Sequence, residues 1–159
     1  MAAVACIVLG FCLWPFVEYA VHGWLSHCTQ SFVARMHRSH HEDPRRVYTP
    51  ASAWIPAALL LFAALALPLG AVSAACLVVG LVAGFLRYER VHYNIHFRPA
   101  RDAREARRIQ HHLAHHLCDG RAYFGVTNRW TDQLFGTLPP NYLEDYRRVA
   151  NSSGATSPT

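Results

Sequence analysis

The chain has 159 residues, the length of one domain, and 52% of them are hydrophobic. Its net charge of +5 comes from 15 arginines without a lysine, all after position 34 and none within 51–86. Beside membrane segments, this distribution fits the positive-inside bias and favours cytoplasmic arginine-rich segments over nucleic-acid binding, which is the weaker alternative. The five cysteines form no CxxC pair, so a disulfide framework is not expected.

Three apolar stretches predict membrane helices. Residues 2–21 form a run that is about 30 Å long as a helix, the thickness of a bilayer core, and its start has no basic residue. These features favour a retained helix over a cleaved signal peptide. Residues 54–86 are uncharged, and Pro68-Leu69-Gly70 divides them into segments 54–67 and 71–86, each about 21–24 Å long. They predict a helical hairpin that crosses the membrane and returns, or one that dips partway in; a buried hairpin of a soluble protein is the alternative.

Ten of the eleven histidines fall into four groups with helical spacing. Positions i, i+3 and i+4 share one face of a helix, so each HxxHH group presents three imidazoles together and the HxxxH group presents two. The HxxxxH pair is about 140° apart on an ideal helix. Its members could approach different metals, or the helix could unwind locally between them. In chain order the groups are His22 and His27; His37, His40 and His41; His92 and His96; and His112, His115 and His116.

The hairpin returns the chain to the side it left, so all ten imidazoles are expected at one membrane face. Neutral imidazole is a ligand for iron, zinc and copper. Ten ligands are too many for one ion, and two ions with four or five imidazoles each account for the number. His111 is the histidine left over; it is predicted as a hydrogen-bonded structural residue and is a doubtful ligand. The HExxH pattern of zinc proteases and the Glu-x-x-His set of soluble di-iron bundles are both absent.

Two carboxylates lie close before histidine groups. Glu18 precedes His22 by four residues, and Glu89 precedes His92 by three. Placing a carboxylate near the end of a membrane helix costs free energy, and a hydrogen bond from the ring N–H of a ligand histidine would offset that cost. Hydration at the interface is the alternative. No residue beyond the metal ligands is assigned a catalytic role.

The order of the four histidine groups, with a hydrophobic hairpin between the second and third, resembles the membrane-bound fatty acid hydroxylase and sterol desaturase superfamily. The resemblance covers about residues 13–140. The segments Phe124 to Thr127, Trp130 to Asp132 and Phe135 to Thr137 are most similar to the fatty acid 2-hydroxylase branch. That branch often ends its third group with paired histidines, whereas Phe97 follows His96 here. His111 could compensate for the missing imidazole.

The resemblance implies an oxidoreductase with two iron ions ligated by the ten grouped histidines. Dioxygen would be the co-substrate, and oxygen would be inserted into a C–H bond of a lipid, fatty acyl or sterol-like. The reaction requires a redox-active metal; zinc is not one, although it could replace iron in the isolated protein. The sequence has no haem-binding domain and no GxGxxG fingerprint, so electrons are expected from a separate electron-transfer protein.

The expected fold is all-α: an integral membrane helical protein with a cytoplasmic histidine-rich helical cap. The domain is expected to span residues 1–148, followed by a disordered tail at 149–159. A carotenoid ring hydroxylase and a lipid desaturase are alternatives on the same scaffold. A non-catalytic membrane metal-binding protein is the alternative of a different class, disfavoured because the ligands lie at the membrane edge instead of within the spans. A hydrolytic zinc enzyme would need a general base, and none is evident beside the histidines.

Overall fold

The computed structural model describes residues 2–152, whose regular elements are all helical and include no strand. The all-α prediction is therefore confirmed. Helix α1 continues directly into a π-helical segment, Ala20–Ser26, and a 3₁₀ turn, Pro44–Arg46, follows α2. The α-helices are α1 Ala2–Tyr19, α2 Phe32–Glu42, α3 Ala51–Leu69, α4 Ala71–Phe97, α5 Ala103–Leu117, α6 Trp130–Phe135 and α7 Tyr142–Ser152.

Three helical stretches are long and apolar enough to cross a membrane: Ala2–Ser26, Pro44–Leu69 and Ala71–Phe97. Both halves of the hairpin are longer than the predicted segments 54–67 and 71–86. Helix α3 has 19 residues and α4 has 27, which correspond to about 29 and 41 Å. Helix α3 begins three residues before Trp54 and runs through Pro68 to Leu69, and α4 continues past Leu86 through charged residues to Phe97.

Helices α1 and α4 pack closely through glycines. A Cβ added at Gly10 would lie 2.2 Å from the carbonyl oxygen of Leu77, and one at Gly80 would lie 2.1 Å from that of Ile7. Small residues allow backbones to approach in this way in membrane helix pairs. Helix α3 packs on α4 as well. Helix α4 therefore packs against both α1 and α3.

The remaining helices form a polar cap. Helices α5 and α7 enclose a small core of Ala114, Ala122, Tyr123, Tyr146 and Val149. Helix α7 runs on to Ser152 with Val149 buried, so the predicted tail does not begin at 149. The rest of that predicted tail, 153–159, lies outside the described residues.

Candidate metal centre

The ten grouped histidines lie in two clusters. Within each cluster, one nitrogen from each of five imidazoles lies within 4.8 Å of the corresponding nitrogens of the other four. Cluster A contains His22, His27, His37, His41 and His115, and cluster B contains His40, His92, His96, His112 and His116.

The two HxxHH groups are each divided between the clusters. Helix α2 gives His37 and His41 to cluster A but His40 to cluster B, and α5 gives His112 and His116 to cluster B but His115 to cluster A. The two members that remain together are four residues apart, which places them on one face of the helix. The three imidazoles of each HxxHH group do lie together, as expected, with ring centroids 4.5–6.1 Å apart. The i+3 member of each group nevertheless belongs to the neighbouring cluster, so each group serves two clusters instead of one.

The π-helical segment explains the spacing of the first group. In a π-helix the hydrogen bonds join residues five apart, so residues at i and i+5 come to the same side. Residues Ala20–Ser26 adopt this form, and His22 and His27 both contribute to cluster A. Of the two possibilities left open by the sequence, the altered helix is observed, and the approach to two different metals is not.

The ring nitrogens are spaced as ligands of one ion would be. His37 Nε2 lies 2.8 Å from Nε2 of both His27 and His41, and His112 Nε2 lies 2.9–3.0 Å from Nε2 of His92, His96 and His116. A single ring nitrogen cannot serve three such contacts as hydrogen bonds, because it carries one proton or one lone pair. Nitrogens bound at right angles to one ion at about 2.1 Å would lie about 3.0 Å apart. The donor set therefore fits a metal ion at each cluster.

Backbone carbonyls hold two of these rings. The Nδ1–H of His22 donates to the carbonyl of Phe124 at 2.6 Å, and that of His115 donates to the carbonyl of Ala122 at 2.7 Å. A carbonyl only accepts, so Nδ1 carries the proton and Nε2 offers its lone pair to the cluster. Both rings are buried.

Asp132 builds the turn that supplies these carbonyls. Its carboxylate accepts the backbone N–H groups of Phe124 and Gly125 at 2.7 and 2.8 Å, and the Thr137 hydroxyl at 2.7 Å. Its side chain is fully buried. The Trp-x-Asp segment thus acts through the backbone of residues 122–125, which in turn orients the rings of His22 and His115 in cluster A.

His111 lies outside both clusters. Its Nε2–H donates to Asp132 at 3.0 Å, and the hydroxyl of Tyr146 lies 2.6 Å from its Nδ1. Both ring nitrogens are therefore hydrogen-bonded to side chains of the cap. Each cluster already holds five imidazoles, so the single histidine before Phe97 leaves no deficit for His111 to fill.

The sequence suggested that Glu18 and Glu89 accept hydrogen bonds from the rings of the histidines that follow them, but their partners are threonines. The Glu18 carboxylate accepts the backbone N–H of Thr127 at 2.8 Å and its hydroxyl at 2.6 Å. Glu89 accepts the same two groups of Thr49 at 3.1 and 3.0 Å. Both carboxylates are buried and fasten a loop to a membrane helix. Helical spacing places each carboxylate on the same side of its helix as a histidine, but a distant loop supplies the donors instead.

The protein environment keeps the cap histidines neutral. Burial, followed by the neighbouring imidazoles His96 and His41, lowers the pKa of His40 to about 3. Burial and His27 lower the pKa of His41 to about 4, and burial with nearby imidazoles lowers that of His116 to about 2. Neutral imidazole is the form that binds a metal.

An apolar cavity of about 380 Å³ ends at both clusters. Side chains of α1, α3 and α4 line it, and His22 and His37 of cluster A and His40 and His92 of cluster B close its end. Its aromatic wall is formed by Trp14, Trp54 and Phe85, with ring centroids 5.5 Å apart in the Trp14–Phe85 and Trp54–Phe85 pairs.

The wall residues, and the threonines that hold the two carboxylates, were not identified from the sequence. The aromatic side chains occur within apolar runs and look there like ordinary lipid-facing or core residues. The partners Thr127 and Thr49 are separated from Glu18 and Glu89 by 109 and 40 residues, so no local pattern links them.

Comparison with known proteins places the chain in a family. Residues 7–137 match the model of the fatty acid hydroxylase family. The chain is similar to the mouse fatty acid 2-hydroxylase, 29% identical over 86% of this chain and 40% of that protein. It is also similar to dihydroceramide fatty acyl 2-hydroxylase FAH2 of Arabidopsis thaliana, 28% identical over 84% of this chain and 60% of that one. The chain thus spans about 40–60% of the length of these relatives.

A solved structure shares the fold. It is described as full-length scs7p with only the hydroxylase domain visible, and it superimposes with a TM-score of 0.76 at 23% identity, over 85% of this chain and 55% of that one. The helical architecture, the two histidine clusters and the family match agree, and the chain belongs to the fatty acid hydroxylase family.

Proposed function

We propose that the chain is an oxygen-dependent lipid hydroxylase that acts on a C–H bond of a fatty acyl chain at a histidine-ligated di-iron centre. The observation that carries this proposal is the apolar cavity that ends on imidazoles of both clusters. A hydrocarbon placed there would meet both metal sites at once. The names of the relatives, fatty acid and dihydroceramide fatty acyl 2-hydroxylases, support the same class of substrate.

Clusters A and B would each hold one iron through five imidazoles. Iron supplies the activation of dioxygen that an unactivated methylene requires, which zinc does not. The residues of the chain position and protect this chemistry. The carbonyls of Phe124 and Ala122 orient two rings, and the buried Glu18–Thr127 pair fastens the loop that carries these carbonyls to α1.

The cavity suits an acyl chain that enters from the bilayer. Its walls are mostly apolar, and it lies between α1 and α3, the two membrane helices on either side of α4. Arg46, Tyr48 and Ser26 also line it. These polar side chains could contact the polar end of the lipid while the hydrocarbon contacts Trp54 and Phe85.

The histidine face is proposed to be cytoplasmic, because the arginines of the chain lie on the segments that carry the clusters and positive charge favours that side. A separate electron-transfer protein would reduce the centre from this face. Both proposals follow from charge placement and from the redox requirement of the reaction.

The test is lipid mass spectrometry of a host that expresses the chain under isotopically heavy dioxygen. The proposal predicts a lipid that gains one heavy oxygen with the intact protein and not with the His115→Ala, His116→Ala variant. Both proteins are checked for membrane insertion and helical content. New double bonds without added oxygen would identify a desaturase instead. Unchanged lipids from folded, iron-loaded protein supplied with a reductant would refute catalysis and favour a metal-binding protein.

A further inference from the structure

A second cavity, of about 360 Å³, lies between the end of α4 and the start of α5. Four arginines line it: Arg90, Arg98, Arg101 and Arg108. Its volume is within the roughly 300–1,000 Å³ of small-molecule sites. We call this cavity the arginine pocket.

The arginine pocket is separate from the apolar cavity. Residues two apart on a helix lie about 200° apart around its axis. Tyr88 and His92 line the apolar cavity, whereas Arg90 and Asn94 line the arginine pocket, two residues further along. The two cavities therefore lie on opposite sides of α4, and a ligand in one does not contact the other.

The arginine pocket has an excess of positive charge. Glu105 is the acidic residue among those lining it, and its carboxylate is engaged by the guanidinium and the backbone N–H of Arg101. Within residues 2–152, no carboxylate lies within salt-bridge distance of Arg90, Arg98 or Arg108. Three arginines therefore line the cavity without a salt bridge of their own.

Arg108 shows the cost of this arrangement. It is partly buried, and burial together with the nearby charges of Arg104 and Arg87 lowers its pKa. An anion in the cavity would offset both effects. Guanidinium groups bind phosphate through paired hydrogen bonds, and the Asn94 side chain at the wall adds an uncharged donor.

The position of the pocket indicates where the anion comes from. Helix α4 is uncharged from residue 71 to 86, and its first arginines follow at Arg87 and Arg90. The pocket thus begins where the apolar span ends, at the depth of the lipid headgroups. Clusters of basic residues beside a membrane helix are a recognised form of anionic-lipid site.

We propose that the arginine pocket binds the phosphate of an anionic phospholipid headgroup. The headgroup would bridge Arg90 and Arg98 at the end of α4 to Arg108 on α5, and so fasten the histidine-bearing helix α5 to the membrane. This site is independent of the proposed hydroxylase activity.

The test uses purified full-length protein in phosphatidylcholine nanodiscs that contain increasing mole fractions of phosphatidylglycerol. Phosphatidylglycerol retained by the protein after detergent extraction is quantified by mass spectrometry.

The Arg98→Gln, Arg108→Gln variant is compared with wild type and with Arg107→Gln, Arg147→Gln. The control pair removes the same charge from two exposed arginines outside the pocket. Each arginine near the surface contributes about fivefold to the affinity for anionic lipid. The pocket variant should therefore need about 25-fold more phosphatidylglycerol for half-saturation, and the control should stay within about twofold of wild type.

Equal losses in the two variants would show that general surface charge attracts the lipid, and would overturn the pocket. Complete displacement of phosphatidylglycerol from wild type by an equal concentration of inorganic phosphate would overturn the lipid as the occupant. If the glutamine pair does not fold, Arg98→Lys, Arg108→Lys keeps the charge but loses the paired hydrogen bonds. That variant should bind less lipid than wild type, and unchanged binding together with displacement by phosphate would refute the proposal.

Discussion

The division of the HxxHH groups between clusters A and B predicts different metal binding by two double variants of α5. His112→Ala with His116→Ala removes two imidazoles from cluster B and none from cluster A. His115→Ala with His116→Ala removes one imidazole from each cluster. The two variants lose the same number of imidazoles from the same helix, so that any difference between them reports the division itself.

The expected magnitudes follow from the numbers of ligands left. Loss of a residue that merely supports a metal ligand costs about 10–100-fold in metal affinity, and loss of a ligand costs at least as much. The first variant leaves five imidazoles in cluster A and three in cluster B. Half of its metal should therefore bind with wild-type affinity, and the other half should bind at least about 100-fold more weakly. The second variant leaves four in each cluster, so all of its metal should bind at least about tenfold more weakly.

The measurement is anaerobic equilibrium dialysis against chelator-buffered ferrous iron, with bound iron measured by plasma mass spectrometry. Circular dichroism controls for helical content. The first variant should give two separated binding steps, the earlier at the wild-type midpoint, whereas the second should retain no step there. Superimposable curves from two folded variants would show that each HxxHH group serves one ion, and would refute the division.

Three further predictions concern the support of the site. Gly80→Ala places a Cβ against a backbone carbonyl of α1 and should destabilise the fold by about 1–3 kcal/mol in thermal unfolding, whereas Gly120→Ala, with no atom closer than 3.8 Å, should be tolerated. A stable Gly80 variant would contradict the close packing. Thr127→Val leaves a buried carboxylate oxygen without its hydroxyl donor and should cost about 1–3 kcal/mol, with Thr127→Ser restoring stability; no difference between valine and serine would refute the role of the hydroxyl. His111→Gln should keep both metal ions in the dialysis assay and lower the unfolding temperature, and loss of an ion would make His111 a ligand after all.

Much of the fold and the list of grouped histidines could be predicted because both depend on local periodicity. Uncharged runs located the membrane helices, and i, i+3, i+4 spacing showed which histidines share a face. Spacing along one helix does not determine which partner each face meets. Only the tertiary structure therefore shows that His40 belongs to cluster B and His115 to cluster A.

The π-helical segment and the carboxylate contacts were beyond sequence patterns for a different reason. His22 and His27 join one cluster only because α1 changes its winding after Tyr19, and the apolar residues around them show no such change. Glu18 meets Thr127 across 109 residues, a contact set by how the cap closes on the membrane helices.

The division of the histidines also sets an order of assembly. Cluster A already has four of its members by residue 41, and cluster B has three by residue 96, yet the last member of each is a neighbour in the final turn of α5, His115 and His116. The carbonyl that orients His22 is supplied 102 residues later by Phe124. During synthesis neither site can be complete before α5 docks, and when it docks both are completed in the same step. The proposed coordination by five imidazoles in each cluster would therefore follow the late docking of α5, and an interrupted chain that ends before α5 would carry seven of the ten imidazoles without a finished site.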